Sequence, residues 1–370
     1  MELQVRMPPR RVPRLLAVGS GGNRFVELLA EAKEIRNRTG QDWDTLAGIS
    51  AGALLCGLIS MQPMDDLNTF NTTLARAIAQ FGSDASASPF TPWLPLGGFV
   101  SALFAVLFQK PAVFQGNAGF LRKEFDEAKF HAAGRRLLVG VYDNVLEKYK
   151  TVDSRFHSPS DMRQAIAASS AVPGVVPPVA FQGHRCRDGG VVHTIPINEI
   201  IAFVRQHGRS GPVHVDLLIS GNIASPPHMS STVTVTSSLM DLCGSLVWQN
   251  LQRDLRSLVR QLLVDAGSPP YVQRKVLQTL VSGAQRNFQR PWGTLRVVSA
   301  EPWTAKQRPI RTQFRARVPA PTMAAMVANG RHAAEKACET AGKACEAVGE
   351  AAGEAAGRAL REALRETACL

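Results

Sequence analysis

The sequence predicts an α/β fold in which a central, mostly parallel sheet lies between layers of helices, followed by a C-terminal helical tail. Apolar runs at residues 15–18 and 43–47 alternate with helix-like segments at residues 23–38 and 51–61. Strands that alternate with helices in this way favour parallel pairing. The third observation is the Ala/Glu/Gly-rich composition of residues 331–370, which predicts the tail.

The first elements follow from local patterns. Residues 15–18 form a buried strand that ends in glycines, and apolar residues at helical spacing follow over residues 23–38. Gly40 suits the C-terminal end of that helix. The second strand, at residues 43–47, leads through Ser50 into an apolar helix at residues 51–61.

Later elements are predicted in the same way. Proline prevents the chain from continuing as a helix at residues 172–178. Strands are predicted at residues 137–142, 147–152, 213–219 and 293–298, and helices at residues 161–171, 233–265 and 270–288.

The segment at residues 94–108 is the most hydrophobic in the chain. It is too short to span a bilayer comfortably. It is either a buried helix or cap over the active site, or an interfacial segment that contacts lipid. Neither a signal peptide nor a run of about 20 apolar residues is recognised, so we expect a cytoplasmic protein, with peripheral membrane contact as an alternative.

The charge balance favours anionic partners. Among the 370 residues, 42 are basic and 30 are acidic, giving a formal net charge of +12. Phospholipid headgroups fit this charge, and a solvated basic surface without a partner is the alternative. No nucleic-acid-binding motif is recognised, so no nucleic-acid partner is expected. The six cysteines form no CxxC pair and are expected to be reduced, and no metal site or cofactor is predicted.

The segment Gly48-Ile49-Ser50-Ala51-Gly52 lies between a strand and a helix. In that context Gly-x-Ser-x-Gly is typical of the nucleophile elbow of acyl hydrolases, in which a sharp turn exposes the serine Oγ near a helix N-terminus. The pattern alone is weak, because an ordinary Gly/Ser-rich turn can match it. Other catalytic motifs elsewhere in the chain are needed to decide whether Ser50 is a nucleophile.

Two such motifs are present. A Gly-rich loop, Ser20-Gly21-Gly22-Asn23-Arg24, follows the first strand, and Asp188-Gly189-Gly190 lies far downstream. Together with the Ser50 elbow and the stretch at residues 167–173, this arrangement resembles the patatin-like phospholipase family over residues 14–200. The resemblance implies a three-layer patatin-like sandwich and a Ser–Asp catalytic dyad without a cofactor.

Carried onto this sequence, the resemblance makes Ser50 the nucleophile and Asp188 its base. Gly21, Gly22 and Asn23 would supply oxyanion N–H groups, and Arg24 matches the family's basic residue in that loop. Gly48, Ala51 and Gly52 complete the elbow, and Gly189 and Gly190 complete the Asp-Gly-Gly motif. His184 and His193 flank Asp188, but we expect surface or loop roles for both. The sequence departs from the family at Gly19-Ser20 and at Phe25, where an aspartate, a glycine and a second glycine are usual.

The implied activity is hydrolysis of carboxylic ester bonds in phospholipids or lysophospholipids through an acyl-enzyme. A carboxylesterase or neutral-glyceride lipase using the same dyad is one alternative, and a non-catalytic membrane- or partner-binding protein is another. We expect residues 14–205 to form the catalytic core and residues 206–325 to complete the same domain. Residues 331–370 are a low-complexity tail through which self-association is an open alternative, since its small residues permit close helix contact.

Overall fold

The fold is described from a computed structural model of the chain. Thirteen stretches are described: residues 11–21, 24–83, 91–92, 114–116, 118–173, 175–220, 223, 235–265, 267, 270–281, 287–290, 292–299 and 324–339. The hydrophobic segment at residues 94–108 therefore lies outside the described residues, as do Gly22, Asn23 and residues 340–370.

Strands and helices alternate along the first half of the chain, as predicted. The strands are β1 Arg14–Val18, β2 Thr45–Ile49, β3 Thr91–Pro92, β4 Phe114–Gly116, β5 Arg136–Asp143, β6 Lys148–Asp153, β7 Val179–Phe181, β8 His184–Asp188, β9 Val213–Ile219, β10 Asn287–Arg290 and β11 Gly293–Ser299. The helices are α1 Phe25–Thr39, α2 Ala51–Ser60, α3 Leu67–Ser83, α4 Ala118–Glu124, α5 Glu127–Ala133, α6 Pro159–Ser169, α7 Ile197–His207, α8 Val235–Asp265, α9 Pro270–Val281 and α10 at residues 324–339.

Nine of these strands form one mixed sheet, in the order β10-β11-β9-β1-β2-β5-β8-β7, with β6 also paired to β5. The central neighbours β11, β9, β1, β2 and β5 are parallel. The outer strands β10, β6, β8 and β7 pair antiparallel. The predicted mostly parallel central sheet is therefore confirmed, with antiparallel strands added at its two sides.

Helices cover both faces of the sheet, which gives the predicted three layers. Alternate residues of β1 point to opposite faces. Leu16 and Val18 belong to an apolar cluster with α1, α2, α3 and α6. Leu15 and Ala17 belong to a second cluster with α7, α8 and α9. All four side chains are fully buried.

Two sequence predictions need correction in their bounds. The second strand lies two residues later than predicted, because residues 45–49 are the ones that pair with β1 and β5. The helix predicted over residues 270–288 ends at Val281, and residues 287–290 instead form β10. Residues 324–339 are helical.

Buried ion pairs lie near the start of several strands. The Asp42 carboxylate pairs with the guanidinium groups of Arg36 and Arg135, each at 2.5 Å. Asp216 accepts hydrogen bonds from Arg14 and from the indole N–H of Trp43. Strand β1 starts at Arg14, and only Asp44 separates Asp42 and Trp43 from β2, so these residues lie at the opposite edge from Ser50, which follows β2. They stabilise the fold away from Ser50.

Candidate active site

Ser50 follows the carboxyl end of β2 and directly precedes α2. Its φ is 58° and its ψ is −123°, a left-handed conformation that a residue with a side chain rarely adopts. The residue is only 5% exposed, and its carbonyl oxygen accepts the N–H groups of Ala53 and Leu54 in the first turn of α2. A strained conformation of this kind costs about 1–3 kcal/mol, and it persists only where the surrounding structure imposes it.

The two glycines of the elbow allow this close packing. A Cβ atom on Gly52 would lie 2.2 Å from the carbonyl oxygen of Val18 at the end of β1. A Cβ on Gly48 would lie 2.4 Å from the carbonyl oxygen of Gly52. Neither position has room for a side chain, and the buried Ala51 follows Ser50 in the same turn. Glycine is thus required at position 48 by contact with the start of α2 and at position 52 by contact with β1.

Asp188 lies at the end of β8, opposite Val141 of β5. Its carboxyl group accepts the N–H group of Gly190 at 2.7 Å and lies close enough to the Ser50 side chain for that side chain to lower its pKa. Asp188 is 4% exposed, and this burial raises its pKa to about 7, although Ser50 and the Gly190 N–H group favour the ionised form. The structure therefore brings together the two residues that the sequence places 138 positions apart.

Gly189 and Gly190 form a single 3₁₀ turn after Asp188. A Cβ on Gly189 would lie 2.6 Å from the carbonyl oxygen of Gly140, so the turn is held directly against β5. The two flanking histidines contact other acids. His184 Nδ1 lies 2.6 Å from Asp143, and His193 Nδ1 lies 3.4 Å from Asp254.

The Gly-rich loop begins where β1 ends, beside the elbow. The Gly19 N–H group donates to Leu218 of β9, and the Ser20 N–H group donates to Thr194. At its other end, the buried Arg24 side chain donates to the carbonyl oxygen of Ser220. Gly21 and Arg24 are thus placed at the carboxyl edge of the parallel strands, where Ser50 lies. The predicted donors Gly22 and Asn23 lie outside the described residues.

Sequence reasoning missed Ser169, the last residue of α6. The Ser50 N–H group donates to Ser169 Oγ at 2.9 Å, and Ser169 Oγ donates to the carbonyl oxygen of Gly140 at 2.6 Å. Ser170 donates to the Ser50 carbonyl oxygen at 3.4 Å. Ser169 therefore links the strained residue to β5. The motif at residues 167–173 contained this residue, but nothing in the motif assigned it a partner.

Sequence reasoning also missed the buried carboxyl group of Glu199, which lies close to the end of β5. The Tyr149 hydroxyl donates to Glu199 Oε1 at 2.9 Å, and Thr151 donates to the same oxygen. The Tyr149 ring lies where a side chain on Gly140 or Gly189 would be. Burial raises the pKa of both Tyr149 and Glu199. Tyr149 thus packs against the backbone of Gly140 and of Gly189, the residue that follows Asp188.

Replacing Ser169 by alanine is expected to lower the free energy of unfolding by about 1–3 kcal/mol, because the buried Ser50 N–H group loses its acceptor. Urea unfolding measures this loss. Ser160→Ala, on the first turn of the same helix, is the matched control and should change stability by less than about 0.5 kcal/mol. Equal stabilities of the Ser169 variant and the wild type would show that this hydrogen bond does not hold the elbow.

Two further findings concern the described part of the chain. None of its helices is both long enough and apolar enough to cross a bilayer. Within the same residues, no three His, Cys, Asp or Glu side chains are grouped as metal ligands would be.

Comparison with known proteins gives a family match and a structural match. Residues 16–201, half of the 370-residue chain, match the model of the family described as patatin-like phospholipase. The crystal structure of VipD from Legionella pneumophila aligns with 85% of this chain at 11% sequence identity and a TM-score of 0.35. The chain covers 66% of that protein, slightly less than two thirds of its length. A likeness at this TM-score supports no inference about function.

Proposed function

The chain belongs to the patatin-like phospholipase family, and from that premise we propose that it cleaves carboxylic esters of phospholipids or lysophospholipids with Ser50 and Asp188. The observation that carries the proposal is the proximity of the Ser50 side chain to a buried Asp188 carboxyl, at the ends of β2 and β8. A serine hydroxyl is a weak nucleophile at neutral pH and needs an adjacent base. A carboxyl with a pKa of about 7 is well matched to that task, because it accepts and returns a proton near neutral pH.

The reaction divides into two acyl transfers. Ser50 Oγ attacks the ester carbonyl carbon while its proton moves to the Asp188 carboxylate. The tetrahedral intermediate then collapses, and Asp188 returns the proton to the departing alkoxide. A water molecule next attacks the acyl-enzyme, and Asp188 takes a proton from the water. Asp188 then returns this proton to Ser50 as the fatty acid leaves, and the free enzyme is restored.

The oxyanion of each tetrahedral intermediate needs preorganised donors. We assign this role to N–H groups of the Gly-rich loop that begins at Gly21, with Arg24 anchoring the loop's far end to Ser220. The loop and Ser50 both follow carboxyl ends of adjacent parallel strands, β1 and β2. That adjacency supports the assignment, because the described start of the loop follows the strand next to the one that leads to Ser50.

The surface around this edge of the sheet suits a lipid substrate. The turn between β5 and β6 extends beyond Gly140, which pairs with Ile49 next to Ser50. Its Val145 and Leu146 are 61% and 47% exposed, and Val191, three residues after Asp188, is 47% exposed. Exposed basic residues flank them, namely Lys148 and Arg185. Apolar side chains beside cations favour contact with an anionic lipid surface.

The test is fatty acid release from labelled phospholipid and lysophospholipid, presented in vesicles with and without an anionic phospholipid. We expect release from at least one of the two substrates, and faster release when the vesicles are anionic. High salt should reduce that difference, because it screens charge at the surface. A triglyceride emulsion and a water-soluble carboxylester are the comparison substrates. Hydrolysis of either one without any release from phospholipid or lysophospholipid would contradict the proposed substrate class.

A further inference from the structure

Helix α10 packs into the core of the protein. Met326, Ala333, Ala334 and Ala337 are fully buried, and Met326 clusters with Val26 of α1. Gly330 lies against the backbone of α1, since a Cβ there would be 2.4 Å from the carbonyl oxygen of Glu27. Small residues at this spacing permit two helices to approach closely. In the described part of this helix, the small residues thus pack against other elements of the same chain.

The same contact includes a polar link. Asn329 Nδ2 donates a hydrogen bond to Glu27 Oε1 at 2.8 Å. The other carboxyl oxygen of Glu27 lies 3.9 Å from the guanidinium group of Arg24, one turn earlier in the chain. Glu27 and Arg24 are both buried. In these surroundings an ion pair is screened little by water, so the position of one partner strongly affects the other.

Arg24 continues this link to the Gly-rich loop. Its side chain donates to the carbonyl oxygen of Ser220, and the Ser220 hydroxyl donates to the carbonyl oxygen of Ser20 at 2.8 Å. Gly21 packs against the same hydroxyl, since a Cβ on Gly21 would lie 2.7 Å from Ser220 Oγ. Ser220 therefore contacts both described ends of the loop, at Ser20–Gly21 and at Arg24.

We propose that Asn329 is a positioning residue for ester hydrolysis: through Glu27, Arg24 and Ser220 it holds Ser20, Gly21 and Arg24, the described ends of the Gly-rich loop, in the position that catalysis needs. The inference rests on the proposed function. Oxyanion donors are effective only at short range from the developing charge, so a displacement of about 1 Å reduces the rate. The link connects a helix more than 300 residues downstream to the loop after the first strand.

Asn329→Asp tests the link, because it keeps the size of the side chain and places a second carboxylate beside Glu27. We expect kcat on a water-soluble ester to fall about tenfold with KM within about twofold, a pattern expected when transition-state stabilisation is lost. We also expect faster hydrogen exchange in peptides that cover residues 19–24. Met326→Ala is the matched control, since it leaves a cavity under the same helix without touching the polar link. Its kcat and the exchange of residues 19–24 should remain close to those of the wild type.

Hydrogen exchange at residues 19–24 and kcat together distinguish the positioning role of Asn329 from the proposed ester hydrolysis. If exchange at residues 19–24 and kcat are unchanged in Asn329→Asp, the positioning role is wrong. It is also wrong if Met326→Ala reproduces both changes, since helix docking alone then explains them. If exchange rises in Asn329→Asp alone while the wild type hydrolyses no ester, the link to the loop stands and the proposed hydrolysis fails.

Discussion

Ser50→Ala is expected to lower kcat/KM for ester hydrolysis by at least about 10³-fold, because alanine has no hydroxyl group to form the acyl-enzyme. Ser50 is the residue whose backbone is held at a positive φ between β2 and α2 and whose side chain lies beside the Asp188 carboxyl. The measurement is release of product from a soluble ester under conditions in which the variant is folded.

Ser60→Ala is the matched control for this substitution. Ser60 is also buried and lies at the other end of α2, where its hydroxyl donates to the carbonyl oxygen of Gly57 at 2.7 Å. Its loss should affect stability more than rate, and kcat should stay within about twofold of the wild type. Retention of a tenth or more of wild-type activity by Ser50→Ala would mean that Ser50 is not the nucleophile.

Asp188→Asn is expected to lower kcat/KM by about 10²–10⁴-fold, because an amide cannot accept the Ser50 proton. In the wild type, the pH dependence of kcat/KM should follow the ionisation of the Asp188 carboxyl. Below a pKa of about 7 the carboxyl is protonated, so kcat/KM should fall about tenfold per pH unit on the acidic side and level off above pH 7. A rate that is flat from pH 5 to pH 8, or near-wild-type activity of Asp188→Asn, would contradict the role of Asp188.

Thermal unfolding distinguishes lost catalysis from lost structure in this variant. Burial raises the pKa of Asp188 above its unfolded value, so its contribution to stability is fully present at low pH and is lost as pH rises through about 7. An asparagine is not charged at pH 8 and still offers Gly190 an acceptor. The variant should therefore be at least as stable as the wild type at that pH.

Much of the site was predictable, since its main residues belong to local patterns. The Gly-x-Ser-x-Gly and Asp-Gly-Gly segments reflect backbone contacts that leave no room for a side chain, as at Gly48, Gly52 and Gly189. Contacts of this kind restrict the residue type at a fixed position, and the restriction is visible in the sequence. The resemblance to the patatin-like phospholipase family, which these segments carry, then paired the Ser50 elbow with Asp188.

The supporting residues were not predictable, because a hydrogen bond between distant segments restricts neither sequence locally. Ser169 and Asn329 act on residues 119 and 302 positions away. The end of the helix predicted over residues 270–288 was wrong for a related reason. Residues 287–290 form β10 because β11 offers them a strand edge, and that pairing overrides their helical spacing.

The most direct test of the account is covalent labelling by a fluorophosphonate, which reacts with an activated serine and mimics the tetrahedral intermediate. Intact-mass and peptide analysis would follow the wild type, Ser50→Ala and Asp188→Asn. We expect a single adduct on the wild type, located on Ser50, none on Ser50→Ala, and much slower labelling of Asp188→Asn. An adduct on another residue, or equal labelling of the wild type and Ser50→Ala, would contradict a mechanism based on Ser50 and Asp188.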